Sequence, residues 1–352
     1  MTVAVAIDDL SVTIGDTPIL SSVSLDVAEG EFLTLLGPSG SGKTTTLNVV
    51  AGFVRHSQGR VLIGGTVVDE LPPHRRNIGF VFQSYALFPH MSVAENIAYP
   101  LVARRVARSE RRTRVQQALE LVRLPDVADR PVGALSGGQQ QRIALARAIV
   151  FEPSLLLLDE PLGALDKQLR DAMQLEVRRI HERTGTTTIA VTHDQVEAMT
   201  MSDRVAILDA GRISQVGTPE EIYRRPANLF VAGFVGEANL LAVRGGAVPA
   251  LGVATTGVVE GTAVVRPEDL LLGGDDDPGS AATVEAVSFQ GTRLRVAAKL
   301  DSGERLVVSE PVTDGATGLH PGDHVRVRSR HSTVHAVAEE TAAPVPDPVP
   351  AA

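Results

Sequence analysis

Cysteine is absent from all 352 residues, so neither a disulfide nor a thiolate metal site can form. That absence suits a reducing compartment without proving one. No apolar run approaches the roughly 18 residues that a membrane-crossing helix needs. The N-terminal MTVAVAIDDL lacks a basic stretch ahead of a hydrophobic one, so no signal peptide is expected. A basic excess is missing too: 42 Asp and Glu stand against 33 Lys and Arg, a net charge of -9. Such a balance argues against a general nucleic-acid binder, which carries a basic face. What remains is an ordinary globular mixture, 43% hydrophobic and 21% charged, long enough for two domains.

Residues 1 to about 236 alternate strand and helix patterns, as an α/β domain does. Phe32 to Leu36 is a short apolar run that ends in glycine, and a helical pattern follows from Lys43 to Ala51. Leu155 to Leu158 and Thr187 to Val191 read as further strands, the former apolar throughout, as burial on both faces requires. Between about 84 and 135 the pattern turns helical, at Val93 to Ala98 and Thr113 to Val122, which predicts a helical insertion between two core strands. Six arginines share the stretch Arg104 to Arg114 with one acid, Glu110. A solvated helix face is the plainer reading of this cluster, and a docking patch is the other. After Gly236 the pattern changes to period-2 alternation, as at 293–296 and 324–328, broken by Gly, Pro and Asp at 273–279. A small β-barrel or sandwich is expected over 237–338. Residues 339–352, ending PVPDPVPAA, lack the means to pack and are expected to be disordered.

Gly37, Pro38, Ser39, Gly40, Ser41, Gly42, Lys43 and Thr44 fit the pattern G-x-x-x-x-G-K-[ST], between an apolar strand and a helix that continues with Thr45. Glycines let the backbone wrap a phosphate chain with its N–H groups turned inward, at the N-terminus of a helix. Lys43 suits the β- and γ-phosphates, and the Thr44 hydroxyl suits Mg²⁺. Asp159 and Glu160 stand at the mouth of the second apolar strand. Asp159 is placed to hold Mg²⁺ through its water shell, and Glu160 to orient or deprotonate an attacking water. Ser136, Gly137, Gly138 and Gln139, in LSGGQ, open another helix with a second phosphate-ready N-terminus. The chain holds one such set of motifs, not two.

These motifs resemble the ABC-transporter ATPases over essentially the whole chain. The resemblance implies a P-loop ABC ATPase domain of the α/β class with a helical insertion, followed by a small all-β, OB-like domain of the TOBE type. It implies ATP and Mg²⁺ as cofactors, with Glu160, His193, Gln83 and Lys43 catalytic and with Thr44, Gln83 and Asp159 at the metal. Gln83 is similar to the glutamine that senses the γ-phosphate. His193, in VTHD, is similar to the switch histidine, and Leu165 and Asp166 are similar to the D-loop that crosses a dimer interface. A head-to-tail homodimer follows, in which LSGGQ of one copy closes over ATP on the other. Two permease subunits, and through them a solute-binding protein, are the implied partners at the cytoplasmic face of the inner membrane. No nucleic acid is expected. Two positions depart from the family: Ile14 stands where an adenine-stacking aromatic is usual, and Gly163 where serine is common.

Pro73 to Gln83 and Tyr85 to His90 look like the importer group for polyamines, sugars, ferric iron, sulfate and phosphonates. The runs Gly217 to Tyr223 and Phe234 to Leu241 look most like polyamine (spermidine/putrescine) ATPases, with the other solutes as alternatives. Tyr85, Leu87, Phe88 and His90 are candidates either for the cleft that receives a permease helix or for core packing. A non-transport ABC ATPase would need a tandem ATPase or a long coiled coil, and neither is visible. A GTPase would need N-K-x-D, yet Lys43, Lys167 and Lys299 are the only lysines and none has that context. Glu160 counts against a switch without catalysis.

Overall fold

A computed structural model describes residues 2–163, 165–312 and 318–338. The chain divides into two compact units, one ending at Glu220 and the other starting at Glu221.

The first unit opens with an antiparallel pair, β1 (Val5–Ile14) and β2 (Thr17–Val27). Next come β3 (Phe32–Leu36), α1 (Lys43–Ala51), β4 (Gln58–Ile63) and β5 (Thr66–Val67). Strands β4 and β5 return to β1 and complete an antiparallel sheet of order β2-β1-β4-β5. The chain continues through β6 (Ile78–Val81), α2 (Val93–Ala103), α3 (Arg108–Leu121), α4 (Gly137–Ile149) and β7 (Leu155–Asp159). It ends in α5 (Lys167–Thr184), β8 (Thr187–Thr192), α6 (Gln195–Met201), β9 (Arg204–Asp209) and β10 (Arg212–Gly217). A second sheet has the order β10-β9-β3-β8-β7-β6, parallel except for the β9–β10 hairpin.

Strand β7 shows why its sequence is apolar at every position. Leu155 and Leu157 face a core shared with α1 and the antiparallel sheet, whereas Leu156 and Leu158 face a core shared with α2 to α5. Period-2 alternation thus splits one strand between two cores, and a polar residue fits neither face. Because the strands are parallel, their C-terminal ends gather at one edge of the sheet, where α/β folds place their sites. The residues after β3, β6, β7 and β8 therefore become neighbours.

The expected helical insertion is α2 and α3, between β6 and β7. Helix α2 starts at a capping box in which Ser92 and Glu95 satisfy each other's backbone N–H. Helix α3 begins at Arg108, earlier than the apolar spacing suggests, because its first turns are arginine-rich and exposed. Arg104 is not simply solvated: its guanidinium lies 3.6 Å from the centre of the Phe151 ring.

In the second unit, α7 (Pro219–Arg224), which spans the division, and α8 (Leu229–Phe234) precede ten strands among the described residues. The first four are β11 (Asn239–Val243), β12 (Ala247–Val248), β13 (Val253–Thr256) and β14 (Gly261–Val265). The next three are β15 (Leu270–Gly273), β16 (Ser280–Phe289) and β17 (Arg293–Leu300). The last three are β18 (Arg305–Pro311), β19 (His324–Ser329) and β20 (Thr333–Val337). They form two five-stranded sheets, β11-β14-β20-β13-β12 and β15-β19-β16-β17-β18, around one shared core.

The division falls at Glu220 rather than near 236. Arg266, 3% exposed, explains the difference. Its guanidinium donates to the carbonyl oxygens of Tyr223, Ala232, Gly236 and Glu237, and so ties that segment to the end of β14. The expected disorder of 339–352 lies outside the described residues.

Candidate active site

The phosphate loop runs from the end of β3 into α1. Gly42 caps α1 at φ +100°, and a Cβ there would come 2.4 Å from Leu20 Cδ2. A Cβ on Gly37 would come 2.2 Å from the Leu208 carbonyl oxygen. Both positions therefore require glycine for space, and Gly42 also for its backbone angle. Ser39 and Gly40 are exposed at the apex, Pro38 and Thr45 are half-buried, and Ser41 is buried. The Ser41 hydroxyl has no hydrogen-bond partner, an arrangement that costs about 1–3 kcal/mol unless a ligand satisfies it. Lys43 is folded over the loop, its ammonium donating to Gly37 O at 2.9 Å and Pro38 O at 2.8 Å. Burial lowers the Lys43 pKa from its ordinary value, against the opposing pull of Glu160 and Asp159.

The two carboxylates behave differently. Asp159 accepts a hydrogen bond from Thr44 Oγ1 at 3.1 Å. Burial raises its pKa, and the Thr44 bond partly offsets that rise. Glu160 has φ +42°, a left-handed backbone that costs a non-glycine residue about 1–3 kcal/mol. Its N–H donates to Val191 O at 3.0 Å, which pins the turn to β8. Glu160 Oε2 accepts from Gln83 Nε2 at 3.0 Å, and Oε1 lies 3.1 Å from His193 Nδ1. With a carboxylate as acceptor, Nδ1 carries the proton. Residues following β6, β7 and β8 thus meet on one carboxylate. The Gln83 amide nitrogen is on Glu160, which leaves its amide oxygen without that bond.

Ser136 and Gln139 cap α4 reciprocally: Gln139 Oε1 accepts from Ser136 N at 3.0 Å, and Ser136 Oγ from Gln139 N at 3.4 Å. Gly137 and Gly138 form the first turn of that helix. Asp166 caps α5, accepting from Leu169 N at 2.9 Å. Among the described residues no hydrogen bond joins Ser136, Gln139 or Asp166 to the phosphate loop. Ile14, 58% exposed, ends β1. A Cβ on Gly163 would meet nothing closer than 3.6 Å, so serine would fit there.

Sequence reasoning missed the loop's support. Tyr85 and Ala86, just past Gln83, have φ +61° and +47°, and their carbonyl oxygens accept from Arg147 of α4 at 2.8 and 2.7 Å. It also missed most of a nearby groove of about 400 Å³, lined by Phe80, Phe82, Phe88, Tyr99, Phe151 and Arg147. Phe88 lines it. Tyr85 is buried instead and Leu87 packs against the helical core, while His90 is exposed beside Phe88. In a chain with only 3% aromatics, such a gathering was a readable signal.

The ABC transporter family profile matches residues 20–163, and the TOBE domain profile matches residues 263–337. The uncharacterized ABC transporter ATP-binding protein YdcT of Escherichia coli (strain K12) is 44% identical over 343 residues, 97% of this chain and 100% of its own. The spermidine/putrescine import ATP-binding protein PotA of Rubrobacter xylanophilus is 44% identical over 358 residues, 94% of this chain and 93% of its own. Among solved structures, the dimeric post-hydrolysis state of the ATP-binding cassette MJ0796, bound to ADP and Pi, matches with a TM-score of 0.55. It is 32% identical and covers 61% of this chain and 98% of its own. With the motifs, their convergence at one sheet edge and these relatives in agreement, the chain belongs to the ATP-binding proteins of the ABC transporter family that carry a C-terminal TOBE domain.

Proposed function

We propose that this chain hydrolyses ATP to drive import of polyamines such as spermidine and putrescine, as a homodimer working on two permease subunits. The observation that carries the chemistry is Glu160, held between Gln83 and His193 beside Lys43, Thr44 and Asp159. The loop amides, the unpartnered Ser41 hydroxyl and the Lys43 ammonium make an anion cradle at the N-terminus of α1. A triphosphate draws Lys43 from the two carbonyl oxygens that it now contacts. Glu160 is the base that orients the attacking water, and its two hydrogen bonds fix the direction of its carboxylate.

The residues fit Mg²⁺: Thr44 Oγ1 and Asp159 Oδ1 are hard oxygen donors 3.1 Å apart. Among the described residues no group of three His, Cys, Asp or Glu competes for a metal. When bound, Mg²⁺ supplies charge that neutralises the phosphate oxygens.

Ser136 and Gln139 satisfy each other at a distance from the loop, which supports completion of the site by a second copy, as the dimeric relative suggests. The aromatic groove beside Gln83 supports docking of a permease helix. No helix among the described residues is long and apolar enough to cross a membrane. In this reading the permeases provide the membrane path and hold the chain at the cytoplasmic face. The polyamine assignment rests on relatives such as PotA, and a solute-binding protein delivers the polyamine to the permeases.

The test is ATPase activity of the chain assembled with its permeases and binding protein. Spermidine is expected to stimulate it. Glu160→Gln is expected to cut turnover about 100-fold or more while ATP still binds and the dimer persists. Stimulation by a different solute alone would overturn the polyamine assignment, and normal turnover in Glu160→Gln would overturn the role of that carboxylate.

A further inference from the structure

Arg170 is a charged side chain that the chemistry above does not use. It lies in the first turns of α5, just past the Asp166 cap, with its side chain 29% exposed. Its Nη2 donates to Leu165 O at 2.9 Å, in the loop that leads into α5. Its Nη1 reaches Asp194 Oδ2 at 3.3 Å. Asp194 directly follows His193 and caps α6, its Oδ1 accepting from Val196 N at 2.8 Å and Glu197 N at 3.1 Å. The position before His193 is pinned as well: Thr192 Oγ1 donates to Glu197 Oε2 at 2.7 Å and accepts from Asp194 N at 3.0 Å. One planar guanidinium therefore spans two loops that differ in role. One carries Asp166, and the other carries the histidine on Glu160.

We infer that Arg170 is a positioning residue that sets His193 against Glu160 by tying Asp194 to the Leu165 carbonyl, so that a shift of the Asp166 loop moves the histidine. That loop and the first turn of α5 pack under the LSGGQ turn: a Cβ on Gly137 would lie 3.5 Å from Leu165 Cδ2, and one on Gly138 would lie 3.0 Å from Leu169 Cδ1. A contiguous set of contacts thus runs from the signature turn through Leu165 and Arg170 to Asp194, His193 and Glu160. Arg170 Nε has no hydrogen-bond partner and faces Glu197 Oε1 at 3.8 Å. The guanidinium therefore has a second carboxylate within reach when the Asp194 bond breaks, as a two-position tie requires. A lysine could not replace it, because a single ammonium does not present the fork that reaches acceptors on two elements.

The inference rests on the proposed roles of His193 and Glu160, and the experiment separates the two. Arg170→Met, Arg170→Lys, Asp194→Asn, the Arg170→Met/Asp194→Asn pair and His193→Ala are made in the full chain. ATP affinity, KM, kcat and thermal stability are measured for each. Asparagine is as good a helix cap as aspartate, so Asp194→Asn keeps α6 while weakening the tie. Arg170→Met is expected to lower kcat about tenfold, with ATP affinity and KM within about twofold of wild type. Arg170→Lys is expected not to rescue, and the double variant to be no slower than the slower single. Unchanged kcat in Arg170→Met, full rescue by lysine, or losses that multiply in the double variant would each overturn the tie. If His193→Ala keeps full turnover, the histidine role falls and the tie falls with it. If His193→Ala is slow while Arg170→Met is normal, only the tie falls.

Discussion

Ile14 is where a single side chain should have the plainest effect on nucleotide recognition. It ends β1 opposite Thr17 and is 58% exposed, so the fold asks little of it. An aliphatic group can pack on adenine, but it lacks the ring geometry that adds about 0.5–1.5 kcal/mol to an aromatic pair. Ile14→Tyr is therefore expected to tighten ATP binding roughly 3- to 10-fold with little change in stability. Titration of labelled ATP decides it, and an unchanged Kd removes Ile14 from the adenine site. The shape of the glycine loop was legible residue by residue, because Gly37 to Thr44 is one contiguous turn whose Gly37 and Gly42 are needed locally. The partners of Glu160 were legible only as family expectations. Their distances from it in sequence, 77 residues to Gln83 and 33 to His193, carry no local signal.

At the scale of elements, α5 and β8 share a buried histidine. His181 is 6% exposed, lies 3.2 Å from Thr188 Oγ1 through Nδ1, and meets the Phe32 ring edge-on at 5.2 Å. Burial, and then the nearby Arg178, push its pKa below the ordinary 6.5, against the pull of Asp203. The folded chain therefore keeps His181 neutral where the unfolded chain binds a proton. Below pH 6.5 the unfolded state holds more protons, so this contribution is present above 6.5 and is lost as pH falls through the lowered folded value. Urea unfolding at about pH 7.5 and 5.5 should show wild type losing more stability than His181→Gln, whose amide can keep the Thr188 bond. Equal losses would contradict a neutral buried ring. Strand and helix types were legible from apolar spacing: α1 spans Lys43–Ala51 as expected. The start of α3 was not, because an exposed arginine-rich turn has no apolar face to mark it.

For the molecule as a whole, Arg266 decides where the second unit begins. Its guanidinium serves four carbonyl groups, of Tyr223, Ala232, Gly236 and Glu237, and packs 4.2 Å from the centre of the Tyr223 ring. Tyr223 in turn donates to Glu268 at 2.6 Å, and burial together with that carboxylate pushes the phenol up to about 12. Arg266→Met strands several carbonyls without a donor and should destabilise the C-terminal unit by roughly 3 kcal/mol or more. The measurement is limited proteolysis across a urea series. Cleavage should appear early near 221–237, and a wild-type pattern would refute the role. The all-β class of the C-terminal part was legible in the sequence, but the hold of Arg266 on an upstream segment was not.

The sequence alone determined the glycine loop between strand and helix, the α/β and all-β classes of the two parts, and the presence of one set of motifs rather than two. These are local properties: a glycine turn, an apolar period and a capping serine act within a few residues. Tertiary structure alone decided that Gln83, Glu160 and His193 share hydrogen bonds, that Arg147 holds the loop beyond Gln83, and that the units part at Glu220. The physical reason is the parallel sheet. It brings strand ends to one edge whatever their separation in the chain, and side chains then find partners that no spacing rule encodes.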